Sequence, residues 1–133
     1  MVKAKAYGRV GLLGNPSDMY GGKCISFTYH DCAEVVLSDA ETFCVRNGEM
    51  CDSTLMYNGK HDLVKAAVRQ LGLEELVRER PLEISYRSSI PVGFGLAGSS
   101  AIVIATMRAL NKHFSLNLNK NEIAEKALYA ELD

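Results

Sequence analysis

From Ser88 to Met107 the chain carries no charged residue, and this run constrains the fold more than any other. Its first part, Ser88-Ser89-Ile90-Pro91-Val92-Gly93-Phe94-Gly95-Leu96-Ala97-Gly98-Ser99-Ser100-Ala101, reads as a glycine-rich loop. Its second, Ile102-Val103-Ile104-Ala105-Thr106-Met107, reads as a helix buried from its start. Three glycines let a backbone turn tightly and approach a ligand closely. The serine pair can cap the helix while offering hydroxyls to an anion or a metal. The helix start adds unpaired N–H groups and the positive end of its dipole, which favour phosphate. A plain cap is the simplest use of such a turn. This loop is longer than a cap needs, however, and places the large Phe94 among small residues.

With 133 residues there is room for one domain with a real core. Hydrophobic residues at 47% and charged residues at 23% are ordinary globular proportions. Fifteen basic residues against sixteen acidic ones leave a formal charge of −1, so nothing draws the chain to nucleic acid or an anionic membrane. The apolar run at 101–107 is too short to span a bilayer, and the N-terminus lacks the apolar core of a signal peptide. We expect a cytoplasmic protein. Cys24, Cys32, Cys44 and Cys51 form no C-x-x-C pair, and their irregular spacing suits reduced core or edge thiols. His30, His61 and His113 stand far apart and read as incidental.

Along the chain, residues 8–13 suggest a first strand that stops at the turn Gly14-Asn15-Pro16-Ser17-Asp18. Residues 24–30 and 34–37 read as strands, with 42–46 a third in a meander; alternation is strongest in Ile25-Ser26-Phe27-Thr28-Tyr29. Residues 47–60 are polar and turn-rich. A helix is expected at 61–72, with Val64, Ala67, Val68 and Leu71 inward, Lys65, Arg69 and Gln70 on the wet side, and Gly72 as the stop. Residues 82–87 alternate as a strand leading into the glycine-rich loop. A last helix is expected at 121–132, with Ile123, Ala127 and Leu128 as its apolar stripe. It reaches Asp133 without a closing glycine, asparagine or basic turn, which leads us to expect the N-terminal portion of a longer protein. The fold class expected is α+β, a mixed sheet packed against helices near 61–72, 101–113 and 121–132.

Two formal motif matches fail on context. Gly93-Phe94-Gly95-Leu96-Ala97-Gly98 fits the G-x-G-x-x-G dinucleotide fingerprint, yet Pro91 interrupts the approach and no acidic strand end follows at the required distance. Gly93 and Gly98 have Walker A spacing, but Ser99 stands where that loop needs its lysine. What remains is a phosphate cradle of backbone N–H groups and hydroxyls that requires a cation. Arg9, in the first strand, can supply one, while Asp18 and Tyr20 could hydrogen-bond a polyol.

Taken together these residues resemble the GHMP kinase family, named for galacto-, homoserine, mevalonate and phosphomevalonate kinases. Its motif P-x-x-x-G-L-G-S-S-A is similar to Pro91, Gly95-Leu96 and Ser99-Ser100-Ala101, with one extra residue between. Its motif G-R-V-N-L-I-G-E-H-x-D-Y is similar to Gly8-Arg9-Val10, Leu12-Leu13-Gly14, Asp18 and Tyr20; Gly11 replaces Asn, and Asn15-Pro16 replaces Glu-His. The wording of both stretches looks most like the glucuronokinase branch and its microbial sugar-kinase relatives.

That resemblance implies the family's N-terminal domain, of the ribosomal protein S5 domain 2-like kind, spanning 1–133. It implies ATP- and Mg2+-dependent phosphorylation of a small hydroxyl-bearing substrate, a sugar or a sugar acid such as glucuronate giving the sugar 1-phosphate. Carried over by position, Pro91, Gly93, Gly95, Leu96, Ala97, Gly98, Ser99, Ser100 and Ala101 would hold the ATP phosphates. Ser100 and Glu131 would ligate the metal, Arg9 would act at the transferred phosphoryl, and Asp18 and Tyr20 would face the substrate. The family's catalytic aspartate, third motif and second domain would follow Asp133, making a C-terminal half of the same kinase the expected partner and the 133-residue chain inactive alone. The other readings are a non-catalytic nucleotide- or anion-binding module and, with less support, a nicotinamide dinucleotide-binding domain.

Overall fold

The computed structural model describes residues 2–13, 25–48, 50–54, 57, 61–90 and 98–132. Two long strands, β1 (Val2–Leu13) and β2 (Ile25–Asp39), pair antiparallel. Ala4 and Ala6 on β1, with Ala33, Val35 and Leu37 on β2, are buried on one face, while Lys3, Lys5 and Tyr7 are exposed on the other. The first strand therefore begins six residues before the expected Gly8, because its inward positions are small alanines whose alternation with lysine is a weak apolar signal. The two strands expected at 24–30 and 34–37 are one. Register shifts between Tyr7, opposite Cys32, and Arg9, opposite Thr28, so the polar residues between them are absorbed without ending β2.

β3 (Cys44–Asn47) and β4 (Met50–Asp52) form a hairpin that turns at Gly48, whose φ of +67° suits glycine. β5 (Leu82–Ser88) then inserts between β2 and β3, antiparallel to the first and parallel to the second, giving the order β1-β2-β5-β3-β4. The expected meander is thus corrected: β3 pairs with β5 instead of β2. Leu82 and Ile84 are both fully buried, as befits an interior strand with a neighbour on each side. The Cys44 and Cys51 thiols, expected to be reduced, are joined in a disulfide across this hairpin, with Cα atoms 6.1 Å apart. Cys32 is a free thiol.

Among the described residues, four helices cover one face. α1 (Asp62–Gln70) and α3 (Gly98–Phe114) lie on the sheet with the short α2 (Glu74–Glu79); α4 (Lys120–Leu132) packs outside them, against α1 and α3. One core joins the sheet to Val64, Val68, Val77, Ala101, Ala105 and Leu110; a second joins Ala66, Ala67, Val103, Met107, Ile123, Ala127 and Ala130 among α1, α3 and α4. α1 is therefore buried on two sides. Its wet face is correspondingly narrow, and Lys65, expected in solvent, has no exposed side-chain surface and places Nζ 2.8 Å from Asp52 Oδ2. Leu128, expected in the stripe of α4, is exposed; Ala130 takes the inward position.

Both helix ends bordering the long elements are closed by backbone bonds. Gly72 stops α1 at φ +68°, with Leu73 N–H donating to Val68 O and Gly72 N–H to Arg69 O. α3 ends the same way, Leu116 N–H donating to Asn111 O, but here Ser115 holds the left-handed position at φ 53°. Asn119 and Glu122 then cap α4 reciprocally, at 2.9 and 3.2 Å. A side chain in the left-handed region carries a steric cost that glycine lacks. Ser115→Gly is accordingly expected to raise stability by about 0.5–1 kcal/mol. A urea titration reads this as a higher midpoint at unchanged slope, and an unmoved midpoint would refute it.

The uncovered sheet face is polar. Glu34 lies 3.0 Å from Arg87 and 3.6 Å from Lys5, and Arg46 pairs with Glu83 at 2.9 Å. Desolvation pushes the Glu34 carboxyl up, but Arg87, with Lys5 and Lys3, outweighs it and holds the pKa below the usual value.

Candidate functional site

β1 and β5 flank β2 and both run antiparallel to it, so they are parallel to each other and point the same way; β1 runs on to Leu13 opposite Ile25, whereas β5 ends at Ser88 opposite Ala33. The stretches with the motif residues follow these strands in sequence, 14–24 after β1 and 91–97 after β5, and lie outside the described residues. At the exit of β5, Ile90 is buried and its N–H donates to Ser88 Oγ at 3.2 Å, directing the chain out of the sheet.

The described chain resumes at Gly98, the first residue of α3. Ser99 is exposed and Ser100 half-buried; from Ala101 onward Val103, Ala105 and Met107 are buried. The two hydroxyls thus stand at the surface end of an otherwise embedded helix whose first turn contains no acidic residue. That end offers N–H groups and positive dipole, with no carboxylate in the turn to repel an anion. Thr106 satisfies its own buried hydroxyl by donating to Ile102 O at 2.8 Å.

Of the residues expected at the site, Ser99, Ser100 and Ala101 are thereby placed. Arg9 sits in β1 opposite Thr28, and Glu131 sits in the last turn of α4; the side chains of both lie outside the described residues. Asp18, Tyr20, Pro91, Gly93, Gly95, Leu96 and Ala97 lie outside them altogether. A short link joins α3 to α4, and Val103 and Met107 of α3 share a core with Ile123, Ala127 and Ala130 of α4.

Residues 62–133 match the family model described as GHMP kinases N terminal domain. The chain belongs to the GHMP kinase family. It is 32% identical over 130 residues to a mevalonate kinase of Archaeoglobus fulgidus, a match covering 98% of this chain and 44% of the relative. It is 27% identical over 135 residues to a galactokinase of Thermosipho africanus, covering 98% and 38%. Among solved structures, a mevalonate kinase superposes with a TM-score of 0.84 at 19% identity, covering 98% of this chain and 46% of the other. The galactokinase of Lactococcus lactis complexed with galactose does so at 0.84 and 17%, covering 98% and 37%. This GHMP kinase chain thus spans less than half the length of these relatives. They support the family without singling out its glucuronokinase branch.

Membership of the GHMP kinase family also removes the nicotinamide reading, and β5, the strand that precedes the glycine-rich run, lies antiparallel to β2. One histidine gains a partner that spacing did not reveal. His61, at a left-handed φ of 57° before α1, places Nδ1 2.7 Å from Tyr86 Oη, with the rings edge to face; its Nε2 is buried without a hydrogen-bond partner among the described residues. Burial pushes the Tyr86 phenol above its ordinary pKa, and a hydrogen bond with Asn47 partly opposes this. Twenty-five residues separate His61 from Tyr86, and nothing local in the sequence links them.

Proposed function

We propose that the chain is the N-terminal part of an ATP-dependent kinase that phosphorylates a hydroxyl of a small substrate, a sugar or a sugar acid such as glucuronate. The observation that carries this reading is the Ser99-Ser100 pair at the surface end of the embedded helix α3, inside a region matching the GHMP kinase family. In such a transfer the substrate oxygen bonds to the γ-phosphorus, the bond to the β,γ-bridging oxygen breaks, ADP leaves and the hydroxyl proton is taken by a base. The family resemblance assigns that base to an aspartate beyond Glu131. Positioning and charge neutralisation dominate this chemistry, and Arg9 supplies positive charge near the transferred group.

The donor set fits Mg2+, a hard cation served by oxygen ligands. Ser100 and Glu131 would hold it with the ATP phosphates, and the bound ion would neutralise phosphate charge. Residues 91–101 would surround those phosphates, and Asp18 and Tyr20 would face the substrate. A mevalonate-type alcohol is the second substrate class, favoured by the 32% identity to the mevalonate kinase.

ADP release is to be measured for the full-length protein with Mg-ATP and glucuronate, galactose, mevalonate or a heptose phosphate in turn. Strong stimulation by a sugar or sugar acid is expected. Stimulation by mevalonate alone would move the assignment to the second class. ATP binding with no acceptor phosphorylated would leave a non-catalytic nucleotide-binding module.

A further inference from the structure

We infer that Ser89 is a positioning residue for the phosphoryl-transfer site, an inference resting on the kinase reading above. The β2–β5 ladder runs as far as Ala33 opposite Ser88. One residue on, Ser89 contacts Cys32 three times: its N–H donates to Cys32 O at 3.0 Å, its Oγ accepts from Cys32 N–H at 3.1 Å, and its hydroxyl lies 3.4 Å from Cys32 O. Cys32 in turn stands opposite Tyr7 on β1, two residues before Arg9. Past this point the described pairs of β2 are with β1.

The Ser89–Cys32 contact is therefore the node at which the strand carrying Arg9 and the segment leading to Ser99 and Ser100 part company. Past the end of β5, the Ser89 N–H and hydroxyl together extend the ladder by one more residue, the hydroxyl taking the Cys32 N–H. With buried Ile90 next in sequence, it fixes the position and direction in which the chain leaves the sheet. Ser89 is itself exposed, so water can replace the lost bond and global stability depends on it little. The placement of the chain's exit from β5 relative to the strand that carries Arg9 has no such substitute.

The test compares Ser89→Ala and Ser89→Thr with wild type in the full-length protein, reading KM for ATP, kcat, melting temperature and equilibrium binding of ATP without acceptor. Ser89→Ala is expected to raise KM and the dissociation constant together by about three- to tenfold, the range of one lost hydrogen bond, with kcat nearly kept. Melting temperature should hold within about 2 °C, as for an exposed substitution, and Ser89→Thr should restore binding. Wild-type ATP binding by Ser89→Ala overturns the inference. So does a weakening that tracks a fall in melting temperature and is not rescued by threonine, since Ser89 would then be merely structural. A wild-type protein that neither binds nor turns over ATP removes the kinase reading itself, and this inference with it; an active wild type with an unchanged Ser89→Ala removes the inference alone.

Discussion

Asp52→Ala is expected to destabilise the folded protein by about 3–5 kcal/mol, the range for breaking a buried ion pair from one side. Lys65 projects from α1 with no exposed side-chain surface, and its ammonium lies 2.8 Å from a carboxylate at the end of β4. Asp52 is itself held in place, accepting from Thr54 N–H at 3.0 Å. Removing the carboxylate leaves a cation in a low-dielectric pocket, whereas removing the cation leaves a carboxylate with some access to water. Lys65→Met should therefore cost less than Asp52→Ala. Adding Lys65→Met to Asp52→Ala should recover at least about 2 kcal/mol, because the buried charge goes with its partner. Chemical denaturation of the four proteins checks both claims. A loss below about 1 kcal/mol for Asp52→Ala, or no recovery in the double variant, would mean that the pair is not acting as a buried one.

This pair also shows where a sequence reading fails. Helical periodicity assigns Lys65 to solvent if α1 has a single buried face, and α1 has two: Val64 and Val68 meet the sheet-side core, Ala66 and Ala67 meet the α3–α4 core. Nothing within nine residues reports that second layer. The same limit hides the sheet order, since the parallel pairing of β3 with β5 joins residues nearly forty apart, such as Val45 and Ile84. Short-range chemistry, by contrast, was readable. Gly72 stops α1 because its φ of +68° suits glycine, and the alternation in β5 survives because it faces helices on one side and the open sheet face on the other. α2 escaped notice because six residues are too few to display a helical period.

For the site, residue types are legible in the sequence, and the arrangement of the strands that precede them is not. The glycine-rich run, the serine pair and Arg9 stand out in the sequence, but their spacing does not say that β1 and β5 run parallel on either side of β2. That follows from one antiparallel strand lying between them. It is also why the fingerprint for a dinucleotide does not hold: the strand that precedes the glycine-rich run belongs to a mixed sheet.

Ser100→Ala in the full-length protein is expected to lower kcat by about 10²–10³-fold, the scale for removing one oxygen that serves the charge developing in a transition state. The fold should barely register the change. Ser100 is half-buried at the surface end of α3, and the packing that holds the helix begins at Ala101 and continues through Val103, Ala105 and Met107. A shift within about 0.5 kcal/mol is the ordinary result at such a position. The two quantities therefore part, and that separation distinguishes a ligand from a helix cap: a lost cap would weaken folding by about 1 kcal/mol and leave turnover nearly intact. Ser100→Thr, which keeps the hydroxyl, should retain much of the rate, and raising Mg2+ should recover part of the alanine variant's loss if the hydroxyl serves the metal. Turnover close to wild type in Ser100→Ala at saturating ATP and Mg2+ would exclude the metal-ligand role. The half-buried serine would then be a structural feature of the helix start, and the burden of holding the phosphates would fall on the backbone N–H groups and Arg9.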